Sequence, residues 1–218
     1  KGNESAKQFL NDQYKLIKIE EKREKLGKRS NINKYRNIIF TGSIGTGKKK
    51  VLNILSDMYF STGRVKSKNI VEIDKDEIIA SINSGLYLDD IFNKHIGKIV
   101  LIDKFDLIIN EYNYNEIVSM LIKFIDNNRN RIILVISGSK AGMEKIILNN
   151  QSLKYRFPLQ LDFSDYSEEE MYEICIDTIQ EKGFIINEDS YSSLKETMKE
   201  LYNRNDLVLK NALMIKGY

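Results

Sequence analysis

The sequence predicts an α/β protein: a parallel sheet covered by helices on both sides, followed by a small segment made of helices alone. Three observations carry this. Short strand signals at 38–40, 70–73, 99–102, 132–136 and 159–163 alternate with helical patterns, the order that gives parallel strands joined by crossover helices. The stretch IIFTGSIGTGKKKVLNIL, residues 38–55, reads strand, glycine-rich loop, helix, which is the setting a phosphate-binding loop requires. Beyond residue 166 the strand signals stop and only helical spacing remains.

Taken in order, residues 5–27 form one charged helix stopped at Gly27, and residues 28–34 form a polar connector. The run 38–40 is wholly apolar, as expected of a strand buried on both faces. The helix after the glycine-rich loop places Val51, Leu55, Met58 and Tyr59 on one face, and residues 61–69 form a basic turn into the second strand. Residues 75–96 are helical but broken by Asn83-Ser84-Gly85, a loop signal inside an apolar pattern. The third strand ends at Asp103; Ile117, Leu121, Phe124 and Ile125 then mark a helix facing the sheet. Gly138 leads from the fourth strand into a helix that ends near Asn149, and Pro158, the chain's one proline, precedes the fifth strand. Ser167-Glu168-Glu169-Glu170 is a capping box, followed by an amphipathic helix with Met171, Ile174, Cys175 and Ile179. Stretches 189–202 and 206–216 complete the helical segment. The expected division is a helix and connector over 1–34, a core over 35–165 and a helical lid over 166–218.

The 218 residues, 42% hydrophobic and 30% charged, suit one domain with a small satellite. No apolar run is long enough to cross a membrane, and no signal-peptide pattern opens the chain. The single cysteine, Cys175, excludes an intramolecular disulfide and is expected to be a buried small hydrophobe in a reducing compartment, the cytoplasm or an organelle stroma or matrix. One histidine, His95, excludes a His-rich metal site and is expected at the surface or at a helix cap. The chain opens without Met, as expected of a piece of a longer protein. Of the net charge of +3, residues 1–36 hold eleven Lys or Arg against five Asp or Glu. This basic stretch reads as a solvated helix face, or as a contact for nucleic acid or a membrane surface. It lacks the interleaved aromatics of a nucleic-acid platform.

The loop itself carries the chemistry. Gly42, Ser43, Ile44, Gly45, Thr46 and Gly47 precede Lys48. The glycines let backbone N–H groups turn around a phosphate, Lys48 reaches the terminal phosphates, and the helix N-terminus adds partial positive charge. The next position, where such loops carry a Ser or Thr hydroxyl on a magnesium ion, holds Lys49. An ammonium has no acceptor atom and cannot ligate a cation.

These landmarks resemble the AAA+ ATPases of the CbxX/CfqX branch, over almost the whole chain. The resemblance runs through EEKREKLG (20–27), FTGSIGTGK (40–48), VEIDKDEII (71–79), IVLID (99–103) and, most specifically, NNQSLKYRFPLQLDFSDYSEEEM (149–171). It implies a three-layer αβα P-loop core with a helical lid, binding of ATP or ADP, and assembly with other AAA+ subunits in a ring that acts on a protein partner. It also implies roles for single residues. Asp103 falls at the Walker B aspartate that holds magnesium, and Lys104 at the glutamate that activates water. A charged ammonium cannot take that water's proton and repels a metal ion. Lys49 and Lys104 together therefore predict weak or absent hydrolysis, and nucleotide binding with little need of magnesium. Either these lysines neutralise phosphate directly, or one pairs with Asp103 and closes the site. Arg156 matches the arginine finger that acts on a neighbour's nucleotide; the other reading of Arg156 is a pairing with a local carboxylate. The lid's sensor arginine is replaced by Leu207, with Lys210 the nearest cation. The pore aromatic is replaced by Ile82. Ser137 and Ser139 lie near the sensor position of the fourth strand, where serine is too common to single out.

Overall fold

The computed structural model describes residues 3–28 and 36–203. Its centre is a five-stranded sheet of β1 (Ile38–Gly42), β2 (Val71–Asp74), β3 (Ile99–Asp103), β4 (Ile133–Gly138) and β5 (Leu159–Phe163). The spatial order is β2-β3-β4-β1-β5, with every pairing parallel.

The apolar runs of β1, β3 and β4 are continuous because both faces of the sheet are covered there, and alternate side chains enter two different cores. Ile39, Val100, Ile102, Leu134 and Ile136 belong to one. Ile38, Phe40, Ile99, Leu101, Ile133, Val135, Leu161 and Phe163 belong to the other. The first core is closed by α3 (Lys75–Asn83), α4 (Leu88–Phe92), α5 (Tyr114–Asn127), α6 (Lys140–Asn149) and α7 (Gln151–Arg156). The second is closed by α1 (Glu4–Lys25) and α2 (Lys48–Ser61). The break at 83–85 falls between α3 and α4, with Gly85 in the left-handed region. Ile82 is half-buried against the first core.

α1 departs from a merely solvated helix. Ala6, Phe9, Leu10 and Ile17 pack into the second core, where the Phe9 ring meets Phe40 edge-on. Near its end Glu20 is 5% exposed and accepts from Arg36 at 2.8 Å and from Arg64 at 2.8 and 3.0 Å. The charge of this helix is thus partly spent inside the protein. Its exposed face keeps short-range pairs such as Lys18–Glu21.

After β5 the chain enters α8 (Glu168–Glu181) through the expected capping box of Ser167 and Glu170. α8 packs on α9 (Glu188–Asn203) around Met171, Cys175 and Met198. Cys175 is buried there, and burial pushes its thiol pKa up, as expected of a packing residue. His95 closes a 3-10 turn over Asn93–His95 and is half-buried. Its Nδ1 is buried with no hydrogen-bond partner, so the expected capping role is not found. Leu207, Lys210 and the stretch 206–216 lie outside the described residues. Among the described residues, no helix is long and apolar enough to cross a membrane.

Candidate nucleotide site

In a parallel sheet the strands' carboxyl ends share one edge, and the crevice outside that edge is where such folds take ligands. β1 ends at Gly42, β3 at Asp103 and β4 at Gly138, so this edge gathers the glycine-rich loop, Asp103 and the two serines. Gly42 has φ 133°, and a Cβ there would collide with the Phe163 backbone. Gly47 has φ 91°, and a Cβ would lie 2.8 Å from the Tyr166 hydroxyl. Both positions therefore need glycine for two independent reasons.

Between them the loop is tied by its own side chains. Thr46 is 1% exposed, and its Oγ1 donates to the Ser43 carbonyl at 2.8 Å. Lys48 opens α2, and its Nζ donates to the carbonyls of Gly42 at 2.7 Å and Ser43 at 2.6 Å. Burial pulls the Lys48 pKa below the ordinary lysine value, while the charges of Asp103, Asp165 and Asp106 act the other way. Ser43 and Ile44 stand exposed at the loop's tip, and Gly45 has φ 84°.

Lys49 and Lys104, both expected at the site, are exposed, and neither pairs with Asp103. Lys49 turns outward, and its Nζ pairs with Glu72 on β2 at 2.5 Å, both side chains half exposed or more. Lys104 is exposed and left-handed, with φ 54° and ψ 33°; among the described residues its ammonium makes no ion pair. The expected pairing of either lysine with Asp103 is not found. Asp103 accepts instead from Ser137, which is 1% exposed. The physical reason lies in the register: Ile102 is opposite Ile136, so the residue after each falls side by side at the sheet edge.

Sequence reading passed over a second acid and serine pair. Asp106 is 8% exposed and accepts from the Ser139 backbone at 3.1 Å and from its hydroxyl at 2.5 Å. Ser139 in turn caps α6 through Gly142 N–H. Glycines at 138 and 142, both packed on Asp106, were the available signal for a bulky neighbour.

Arg156 lies at the other end of the sheet, at the close of α7 and just before β5. Both oxygens of Asp126 on α5 accept from its guanidinium, and its Nη1 donates to the Ser152 carbonyl at 2.8 Å. Of the two sequence readings, the pairing with a local carboxylate is the one present here.

A parallel sheet in this order, with a glycine-rich loop and lysine at the end of β1 and an acid at the end of β3, defines a P-loop protein of the AAA+ class. The chain is 27% identical over 184 residues to a CfxQ homolog of Pyropia yezoensis, covering 80% of this chain and 61% of that protein. It is 24% identical to stage V sporulation protein K of Bacillus subtilis, over 89% of this chain and 62% of that protein. With the chloroplastic ribulose bisphosphate carboxylase/oxygenase activase of Cyanidioschyzon merolae it shares 23% identity, over 97% of this chain and 75% of that protein. The chain is thus similar over most of its length to CfxQ and stage V sporulation K proteins, at 23–27% identity. No protein-family profile matches the chain. It spans about six-tenths of the length of the first CfxQ and sporulation relatives.

Proposed function

We propose that this chain is a nucleotide-binding AAA+ domain with a degenerate hydrolytic apparatus, serving as a regulatory or structural module in a ring of AAA+ subunits. In this reading residues 35–165 form the core and 166–218 the lid, in a protein of the cytoplasm or an organelle stroma or matrix. The backbone of residues 42–47 and the Lys48 ammonium hold the phosphates of ATP or ADP. To do so, Lys48 exchanges two loop carbonyls for phosphate oxygens.

The observation that carries the reading is the pair of cations where the reaction needs acceptors. Lys49 stands in place of a metal-ligating hydroxyl and is turned to Glu72. Lys104 stands in place of a general base and is exposed. The donor set left for magnesium is Asp103, already accepting from Ser137, which does not fit an ion held in the family's way. A positioned base is worth about 10²–10⁴-fold, and here that help and the metal ligand are both lacking.

Calorimetry with ADP and ATP, with and without magnesium, tests the reading together with a turnover assay. Binding abolished by Lys48→Ala, little changed by magnesium and accompanied by residual turnover is the expected result. Turnover at an ordinary AAA+ rate, lost in Lys48→Ala, sinks it. A second reading, an active remodelling ATPase with unusual metal handling, is favoured by Asp103 and Ser137, an acid and hydroxyl still placed beside the loop. A strong gain in affinity on adding magnesium would decide for it.

A further inference from the structure

We infer that Tyr166 is a positioning residue that ties the lid to the phosphate loop, so that the lid reads the state of the loop through one hydrogen bond. Tyr166 lies between β5 and the Ser167 cap of α8. Its ring packs against the lid cluster of Met171, Cys175 and Met198. Its hydroxyl leaves that cluster and donates to the Thr46 carbonyl at 3.0 Å. One side chain thus belongs to the lid by its ring and to the loop by its oxygen.

The surroundings are built for this contact. Gly47 is the residue next to the accepting carbonyl, and its missing Cβ is what admits the hydroxyl. Burial pushes the Tyr166 pKa up, which keeps the phenol protonated and a donor at neutral pH. The lid end is held as well. Glu170 accepts from Ser167 N–H at 2.9 Å and, with its other oxygen, from Asn3 N–H at 3.3 Å. The first turn of α8 is therefore braced against both its own cap and the start of α1.

Thr46 is in turn linked to the lysine. Its hydroxyl donates to the Ser43 carbonyl, the same oxygen that accepts from Lys48 Nζ. An anion that draws the ammonium off Gly42 and Ser43 changes the hydrogen bonding around Thr46, and with it the seat of the Tyr166 hydroxyl. The tie exists without ligand; its response to nucleotide rests on the function proposed above.

Cys175, the chain's one cysteine, is buried in the same cluster and serves as the reporter. Thiol labelling is followed in the unmodified protein and in Tyr166→Phe, which keeps the ring and removes only the oxygen. Without nucleotide, Tyr166→Phe is expected to label about two- to tenfold faster, the factor one neutral hydrogen bond is worth. That gain must exceed any shift of the global unfolding equilibrium measured in urea. Equal rates, or a gain no larger than the global shift, overturn the tie. With saturating ADP the unmodified protein is expected to change its labelling rate. Tyr166→Phe is expected to bind ADP by calorimetry with no such change. A variant that responds as the unmodified protein does, or an unmodified protein with bound ADP and an unaltered rate, overturns the coupling. If calorimetry finds no ADP bound to the unmodified protein, the nucleotide reading and the coupling built on it fall, and the labelling without ligand decides the tie by itself.

Discussion

Arg156 grips Asp126 with a two-point hold: Nε donates to one carboxylate oxygen at 3.0 Å and Nη2 to the other. Asp126 also takes Arg129 at 3.3 Å, so one acid holds two arginines at this end of the sheet. β5 separates Arg156 from the chain's own loop edge by five residues, about 17 Å of strand. The guanidinium is thus held at the opposite end of the strand from the chain's own loop, by Asp126 and the Ser152 carbonyl. We predict that mixing this chain with a hydrolytically competent AAA+ partner raises the partner's turnover, and that Arg156→Ala removes the gain while co-sedimentation of the two persists. An arginine finger is worth about 10³–10⁵-fold in P-loop enzymes. Asp126→Asn, which loosens the hold without removing the guanidinium, is expected to keep part of the gain. Equal stimulation by Arg156→Ala assigns the residue to Asp126 alone.

Lys104 sets a second expectation. Its φ of 54° is left-handed, a region that costs a side-chain-bearing residue about 1–2 kcal/mol and glycine almost nothing. Lys104→Gly should therefore raise stability, by up to about 1 kcal/mol after the entropy glycine adds to the unfolded chain. Urea unfolding measures this. A loss of stability would mean that the Lys104 side chain makes a favourable contact. Glutamate pays the same backbone cost as lysine. Lys49→Thr with Lys104→Glu is thus a fair test of restored turnover, expected to exceed the sum of the single changes because metal ligand and base act as a unit.

The central strands β1, β3 and β4 were legible in the sequence because each carries a run that is apolar on both faces, a pattern that loops and amphipathic helices do not imitate. In the edge strands β2 and β5 the apolar residues alternate with exposed polar ones. The phosphate loop was legible because its glycines and lysine are fixed by spacing. Short elements were not: the 3-10 segment Phe105–Asn110 and α7 are six residues each, too brief to show a period. Side-chain direction at the site was hidden as well. Lys49 follows Lys48 directly, yet one folds over the loop and the other reaches β2, since consecutive helical positions diverge by about 100°. Ser137 was dismissed as a common turn residue; only the strand register puts it beside Asp103. α1 looked like a solvated basic helix because its charged residues outnumber the few apolar ones that bury it.

The pH dependence of binding follows from Lys48. Burial holds its pKa below 10.5 in the folded chain. Between that depressed pKa and 10.5 the unfolded chain binds the extra proton, so this group's contribution to stability rises with pH across the window. A bound phosphate favours the charged form and raises the pKa again. ADP affinity should thus fall as pH rises through the depressed pKa, with proton uptake visible by calorimetry in buffers of different ionisation enthalpy. Lys48→Arg, which keeps its charge throughout, should flatten the profile. Affinity that holds steady until pH approaches 10.5 contradicts this account.

Asp106 and Gly142 give a prediction that needs no nucleotide. Gly142 sits in the first turn of α6 with an ordinary helical conformation, so its backbone does not require glycine. What requires it is space: a Cβ there would lie 2.6 Å from both Cβ and Oδ2 of Asp106. Asp106 cannot easily yield, because Ser139 holds its carboxylate from both backbone and side chain. Gly142→Ala should therefore destabilise by about 1–3 kcal/mol, the usual cost of overpacking, instead of stabilising by the roughly 1 kcal/mol that alanine gains over glycine in a helix. In an Asp106→Gly background both of those atoms are gone, leaving only the Ser139 hydroxyl 2.8 Å away, and the same substitution should cost much less. A double-mutant cycle read by urea unfolding checks this, the coupling term being the difference between the two effects. If Gly142→Ala costs as much without the aspartate as with it, the clash lies elsewhere, and Asp106 does not dictate the glycine.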